Sequence, residues 1–266
     1  MPEQPLTKPG APIGTVGKAM TVLEQVADFE RPVRFSELLE KSEHPKATLY
    51  RLLNTLTQQK MLAYDQKSQT YWLGLKLVRL ASFAWAQSSL AKIASSTLNE
   101  LATLSDETVH LAQMDSGQVL FIDKIRRAGN SETLAQIGLV APAHCTGVGK
   151  AILAHLPEKR LEFAMNQQTF FRFTPNTCCT RECLHSELET IRKEGVAFDR
   201  EEHELGVISI AAPILRENGR PLGALSIASS TSRNTLDSIS KYRSHLLKAA
   251  DTIAKDAEVW NFPQTS

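Results

Sequence analysis

Leu49, Leu52, Leu53 and Leu56 stand at the i, i+3, i+4, i+7 spacing that lines one side of an α-helix, and they fix which way this segment faces. With that side buried, a step of about 100° per residue puts Ala47, Arg51, Asn54 and Gln58 on the opposite side. Lys46, Thr48, Tyr50 and Thr55 flank them. Pro45 suits the first helical position, where a missing N–H loses no partner. The outward side is basic and amide- or hydroxyl-bearing and holds no carboxylate. That chemistry suits phosphate oxygens and base edges, with arginine able to pair bidentately to guanine.

The flanking segments give this helix a setting. Val16, Ala19, Met20, Leu23, Val26 and Ala27 repeat at helical period, and Arg31-Pro32 breaks the pattern. A short second helix is expected over 36–42, with Ser36 as its N-cap and Glu37 at the positive end of its dipole. Residues 61–64 and 70–73 read as strands joined by the polar stretch 65–69. Three helices and a hairpin describe a winged helix-turn-helix with Lys67 at the wing tip. A polar surface helix in a small bundle fits the same pattern, and the pattern alone leaves the two readings level.

Charge does not decide between them. The net charge is +1; residues 1–74 hold nine Lys/Arg against eight Asp/Glu, and the rest is neutral. Only 44–60, with Lys46, Arg51, Lys60 and no acid, forms a basic stripe. A hydrophobic fraction of 42% with 22% charged residues is that of a globular protein. No apolar run approaches the roughly 18–20 residues of a membrane helix. Residues 1–14 are proline-containing and lack the apolar stretch of a secretory signal, so a flexible tail and a cytoplasmic location are expected.

Beyond residue 74 the pattern changes. Leu75, Leu77, Val78, Leu80, Ala81, Phe83, Ala84 and Trp85 predict one long helix over 73–92 whose apolar stripe calls for a partner surface. A helix over 90–106 follows, then strands over 108–115, 118–127 and 134–145. Helices are expected over 147–155, 157–168 and 180–194, strands over 207–215 and 222–230, and a closing helix over 236–260. Mostly antiparallel strands with helices between them make an α+β domain.

The run His44-Pro45-Lys46-Ala47-Thr48-Leu49-Tyr50-Arg51-Leu52-Leu53-Asn54-Thr55-Leu56 resembles the recognition helix of the IclR family of bacterial transcriptional regulators. Pro45 and Ala47 replace two serines usual in that family. The turn His144-Cys145-Thr146-Gly147-Val148-Gly149-Lys150-Ala151 resembles its effector domain. So does the spacing of Gly195, Asp199, Glu202, Ser209, Ile210 and Ala211, followed by Ala224-Leu225-Ser226-Ile227-Ala228. The resemblance covers nearly all of the chain after residue 14.

It implies an α+β protein. A winged helix-turn-helix over 15–74 and a linker helix over 75–90 lead to a GAF-like α/β effector-binding domain over 91–260, with a mainly antiparallel sheet. It implies DNA contact through Lys46, Thr48, Tyr50 and Arg51, with Ala47 on the same face and Lys67 on the wing. It implies a small organic acid held by Gly147, Val148, Asp199, Ser209, Ser226 and Ala228, where Ser209 replaces a frequent cysteine. Read singly, Ser209 and Ser226 are equally small packing residues and Asp199 a turn residue. The implied partners are double-stranded operator DNA and further copies of the chain, as a homodimer or a pair of dimers. The implied role is repression of a catabolic operon, with the acid shifting the dimer between two arrangements.

Cysteine supplies the rival readings. Cys145 adjoins His144, and Cys178, Cys179 and Cys183 cluster near His185. Structural zinc sites pair two spaced Cys/His couples, and no second couple matches, so free thiols are expected. A redox- or metal-responsive regulator, or a sulfur-redox enzyme using Cys178, Cys179 or Cys183, is the alternative. No His-Glu-x-x-His, Gly-x-Ser-x-Gly or phosphate-loop pattern occurs, and no catalytic residue, metal or cofactor is expected.

Overall fold

The computed structural model describes residues 14–88, 90–127 and 133–259, and the chain forms two compact units, 1–87 and 88–266. Among the described residues no helix is long and apolar enough to cross a membrane.

The first unit runs α1 (Thr15–Ala27), β1 (Val33–Arg34), α2 (Phe35–Lys41), α3 (Lys46–Gln58), β2 (Leu62–Asp65), β3 (Thr70–Leu73) and α4 (Leu75–Ser88). All four leucines of α3 are buried against Val22, Leu23 and Val26 of α1 and Leu38 of α2. Burial of each such side chain contributes roughly 1.5–3 kcal/mol. β1, absent from the sequence reading, adds to β3, so the sheet order is β1-β3-β2. At its tip the Asp65 carboxylate accepts the N–H groups of Lys67 at 3.0 Å and Ser68 at 3.3 Å, which closes the wing.

Three expectations for this unit are corrected. α2 begins at Phe35, so Arg34 and not Ser36 is its N-cap; Glu37 accepts the Arg34 N–H at 2.9 Å and pairs with Arg31 at 2.6 Å. Those contacts hold the Glu37 carboxyl down at about 2. Pro45 is the N-cap of α3, with its carbonyl accepting from Thr48 and Leu49, and the helix starts one residue later. The helix expected over 73–92 begins at Leu75, because Leu73 ends β3, and is α4; the separate helix expected over 90–106 is α5 (Leu90–Ser105).

The second unit continues with β4 (Thr108–Asp115), β5 (Gln118–Ile125), β6 (Val140–Ala141) and α6 (Gly147–Leu153). Then come α7 (Glu158–Gln167), α8 (Arg181–Glu194), β7 (Ala197–Arg200), β8 (Val207–Leu215) and β9 (Pro221–Ser230). α9 (Leu236–Ser240) and α10 (Arg243–Val259) close it. The strands form one antiparallel sheet in the order β6-β5-β4-β9-β8-β7.

Strand alternation gives the sheet two different faces. Val109, Leu111, Ile208, Ile210, Leu225 and Ile227 face one way and pack with Leu98 of α5 and Leu246 and Ile253 of α10. The other face carries small or polar residues, among them His110, Ala112, Ser209, Ala211, Ala224 and Ser226, and α6 lies over it.

Two departures concern this unit. Of the strand expected over 134–145 only Val140–Ala141 pairs, because Pro142 has no N–H for the ladder and residues 143–145 form a 3-10 turn. Residues 128–132 lie outside the described set. The closing helix is broken after Ser240, where Tyr242 donates its hydroxyl to the Ser105 carbonyl at 3.2 Å, and Trp260 lies outside the described residues.

Candidate functional site

On α3, Lys46, Ala47, Tyr50 and Arg51 are exposed and Thr48 is half-buried; Lys67 is exposed on the wing. Tyr50 packs edge-on against Phe35 of α2, with ring centroids 6.2 Å apart, and still leaves 56% of itself open. The face therefore combines a fixed aromatic edge with two long cations.

In the second unit, Gly147, Val148, Asp199, Ser209, Ser226 and Ala228 all line one cavity, with about 420 Å3 of empty space including the solvent at its mouth. Register explains how distant segments meet there. Asp199 lies opposite Ser209, Ser209 opposite Ala228, and Ala211 opposite Ser226, which in turn lies opposite His110. A Cβ on Gly147 would come 2.7 Å from Ser209 Oγ, and one on Gly149 would come 2.5 Å from the Ala143 backbone. Glycine at 147 lets this turn press onto the sheet and glycine at 149 lets it close on the preceding 3-10 turn, and the first N–H groups of α6 have no acceptor within the helix.

The sequence reading missed His110, Thr133, His203 and Glu204, which also line the cavity. A bulge sets Leu111 opposite Asp123 but Ala112 opposite Phe121. It leaves Ile122 as the extra residue and turns both Phe121 and Lys124 toward the small-residue face. Lys124 donates to Thr133 Oγ1 at 3.2 Å and the Ala135 carbonyl at 2.7 Å, and Thr133 Oγ1 lies 3.3 Å from His110 Nε2. Glu204 accepts the Leu134 N–H at 2.9 Å. Position along β4 was the available signal, since His110 falls in phase with Thr108 and Ala112.

Burial governs the charge states. Desolvation, with Lys124 nearby, pulls His110 down to about 3, so its ring is neutral at ordinary pH. Burial also lowers His203. Desolvation raises Asp199 to about 7, even though it accepts the Glu202 N–H at 2.8 Å. Behind it Lys150 is fully buried, 2.5 Å from Glu202 and 3.3 Å from Glu187. The cavity thus offers hydroxyls, neutral imidazoles, main-chain N–H groups and the carboxyls of Asp199 and Glu204, the first close to its midpoint.

A Cys145 nucleophile and a metal centre have little support in this geometry. Burial and the nearby Asp199 and Glu202 push the Cys145 thiol up. The His144 ring instead meets the Phe171 carbonyl at 3.2 Å and Gln168 Oε1 at 3.4 Å. Among the described residues no group of three or more His, Cys, Asp or Glu is placed to hold a metal ion. One expectation fails outright: Cys178 and Cys183 are joined in a disulfide, leaving only Cys145 and Cys179 as free thiols.

A winged helix-turn-helix followed by an α+β sheet domain is the architecture of a DNA-binding regulator. The IclR helix-turn-helix domain model matches residues 15–66, and that of the bacterial transcriptional regulator IclR C-terminal domain matches 83–255. The HTH-type transcriptional regulator KdgR of Dickeya chrysanthemi is 30% identical over 251 residues, 94% of this chain and 82% of that one. The transcriptional repressor IclR of Escherichia coli (strain K12) is 29% identical, over 91% of this chain and 89% of that one. The crystal structure of the Thermotoga maritima IclR superposes with a TM-score of 0.71 at 29% identity, over 91% of this chain and 97% of that one. The chain belongs to the IclR family of transcriptional regulators, and it is a DNA-binding protein rather than an enzyme.

Proposed function

We propose that this regulator is a cytoplasmic, homodimeric repressor of a catabolic operon whose effector, a small organic acid, binds the cavity of the second unit. The observation that carries the reading is the convergence of Gly147, Val148, Asp199, Ser209, Ser226 and Ala228 from four separate elements on one cavity. The acid's carboxylate sits against the main-chain N–H groups of Gly147 and Val148, and its polar substituents meet Ser209, Ser226 and Asp199. Ala228 leaves room for its carbon skeleton. A relative named as a repressor supports the direction of control. Operator DNA is read by Lys46, Ala47, Thr48, Tyr50 and Arg51, with Lys67 on a flanking phosphate.

The test is a thermal-shift panel of sugar acids, aromatic acids and short keto acids on the wild type and Ser226→Leu. One class should raise the wild-type midpoint, by about 2.7 kcal/mol of stabilisation at a hundredfold excess over Kd, and should leave Ser226→Leu unmoved. The same acid should change operator affinity. If no acid shifts the wild type, or if saturation leaves operator affinity unchanged, the reading fails.

A further inference from the structure

We propose that Cys178 and Cys183 form a thiol–disulfide exchange site for low-molecular-weight disulfides of the glutathione type. Its redox state sets how firmly the Asp199–Glu202 wall of the cavity is held. The functional meaning of that wall rests on the proposed sensing role; the chemistry of the site does not.

The two sulfurs occupy contrasting places. Cys178 is buried in the core beneath α6 and α8, whereas Cys183 is exposed on the first turn of α8. Its N–H is capped by Thr180 Oγ1 at 3.2 Å. Cys183, exposed on the first turn of that helix, is therefore the accessible partner for attack. Cys179, next in sequence, is half-buried and donates to the Thr177 carbonyl at 3.1 Å, so it is turned away from the bond. Cys145 is buried and its thiol is pushed up, which keeps it inert.

The segment ending at Cys178 is tied to the cavity wall. Thr177 Oγ1 donates to the Glu202 carbonyl at 2.7 Å, Thr174 Oγ1 to the Glu201 carbonyl at 2.6 Å, and Asn176 Nδ2 to the Arg200 carbonyl at 3.1 Å. Glu202 in turn gives its N–H to Asp199 and its carboxylate to Lys150. Phe173 packs on His203, another lining residue, with ring centroids 5.2 Å apart. The Cys178–Cys183 bond fastens the end of this strap to α8. Where a thiol buffer keeps most cysteines reduced, the protein disulfides that do form are usually transient or sensing.

The exchange balances without a further reagent. The Cys183 thiolate attacks one sulfur of the small disulfide, forming a mixed disulfide and expelling one small thiolate. Cys178, losing its proton, then attacks the Cys183 sulfur, forming the intramolecular bond and expelling the second thiolate. One small disulfide becomes two thiols as the protein dithiol becomes a disulfide, and a reducing dithiol reverses both steps.

The full-length protein is equilibrated in reduced and oxidised glutathione, alkylated and read by peptide mass spectrometry, with amide hydrogen exchange followed on both forms. Oxidation should link Cys178 to Cys183 while Cys145 and Cys179 remain alkylated, and Cys179→Ser should leave this unchanged. Exchange across residues 199–203 should be slower in the oxidised form by about threefold or more. Cys183→Ser, a change at an exposed position, should exchange like the reduced wild type under both conditions. Absence of the bond, a bond through Cys179, or equal exchange in the two forms would each overturn the proposal. Neither DNA nor an organic acid enters the measurement, so its failure would leave the effector reading standing, and failure of the acid panel would leave the exchange chemistry standing.

Discussion

Asp199 is the residue whose charge the fold controls most directly. Its carboxyl titrates near 4 in an unfolded chain and at about 7 in the folded one, with burial the leading cause. The folded state therefore binds the extra proton between those values, and Asp199 favours folding below about pH 4 and progressively less up to about pH 7. Asp199→Asn keeps an oxygen to accept the Glu202 N–H and has no proton to lose. The prediction is that urea midpoints of the wild type fall relative to Asp199→Asn as pH rises through that window. His110 acts in the opposite sense at lower pH, since a ring held neutral in the fold must charge as the chain unfolds. It is present in both proteins and cancels from the comparison. Parallel midpoints at every pH would show that Asp199 is not desolvated.

At the level of elements, the outward side of α3 was legible because its leucines alone determine it, although the helix starts one residue later than expected. Arg51→Ala should weaken operator binding by about 1–3 kcal/mol, more than any other single change in α3, as read by fluorescence anisotropy on duplexes selected from a random pool. Lys67→Ala should lower affinity evenly across sequences and reduce the salt dependence by about one counterion. Wild-type affinity in Arg51→Ala would remove α3 as the reader. Other elements gave weaker signals. β1 and β7 span two and four residues, too short for alternation to register, and each exists because a longer neighbour supplies its hydrogen bonds. The stretch 134–145 looked like a strand because Leu134, Ile137, Leu139 and Val140 are apolar, yet all four are exposed. Gly138, at a φ of +84°, turns the chain just before the one short pairing. The residues of the proposed effector site came from the family's spacing; His110 did not, because nothing local says that β4 will lie beside β9.

For the whole molecule, α4 poses the assembly question. Leu75, Val78, Leu80, Phe83 and Trp85 are exposed along one helix, Leu75 to 85% and Val78 to 65%, and water is a poor solvent for such a stripe. Both the stripe and its call for a partner surface were visible in the sequence, and these residues are exposed in the single chain. If it is the surface on which two copies pair, Val78→Glu combined with Phe83→Glu should give monomers in sedimentation velocity. A pseudo-palindromic operator needs two reading heads about one helical turn apart, so the double variant should also lose cooperative operator binding. A dimer that survives both changes would move the interface elsewhere.

The division of the six-stranded sheet into a face of branched aliphatics and a face of alanine, serine and histidine has an evolutionary consequence. Foldedness is secured by Leu111, Ile210, Leu225 and Ile227, which never meet the cavity. Ser209, Ser226 and Ala228 form its floor from the opposite side of the same strands. A mutation at a floor position reshapes what fits without loosening what holds the strands together. If this cavity is the effector site proposed above, such a domain can wander among metabolites one side chain at a time, keeping its architecture while its diet changes.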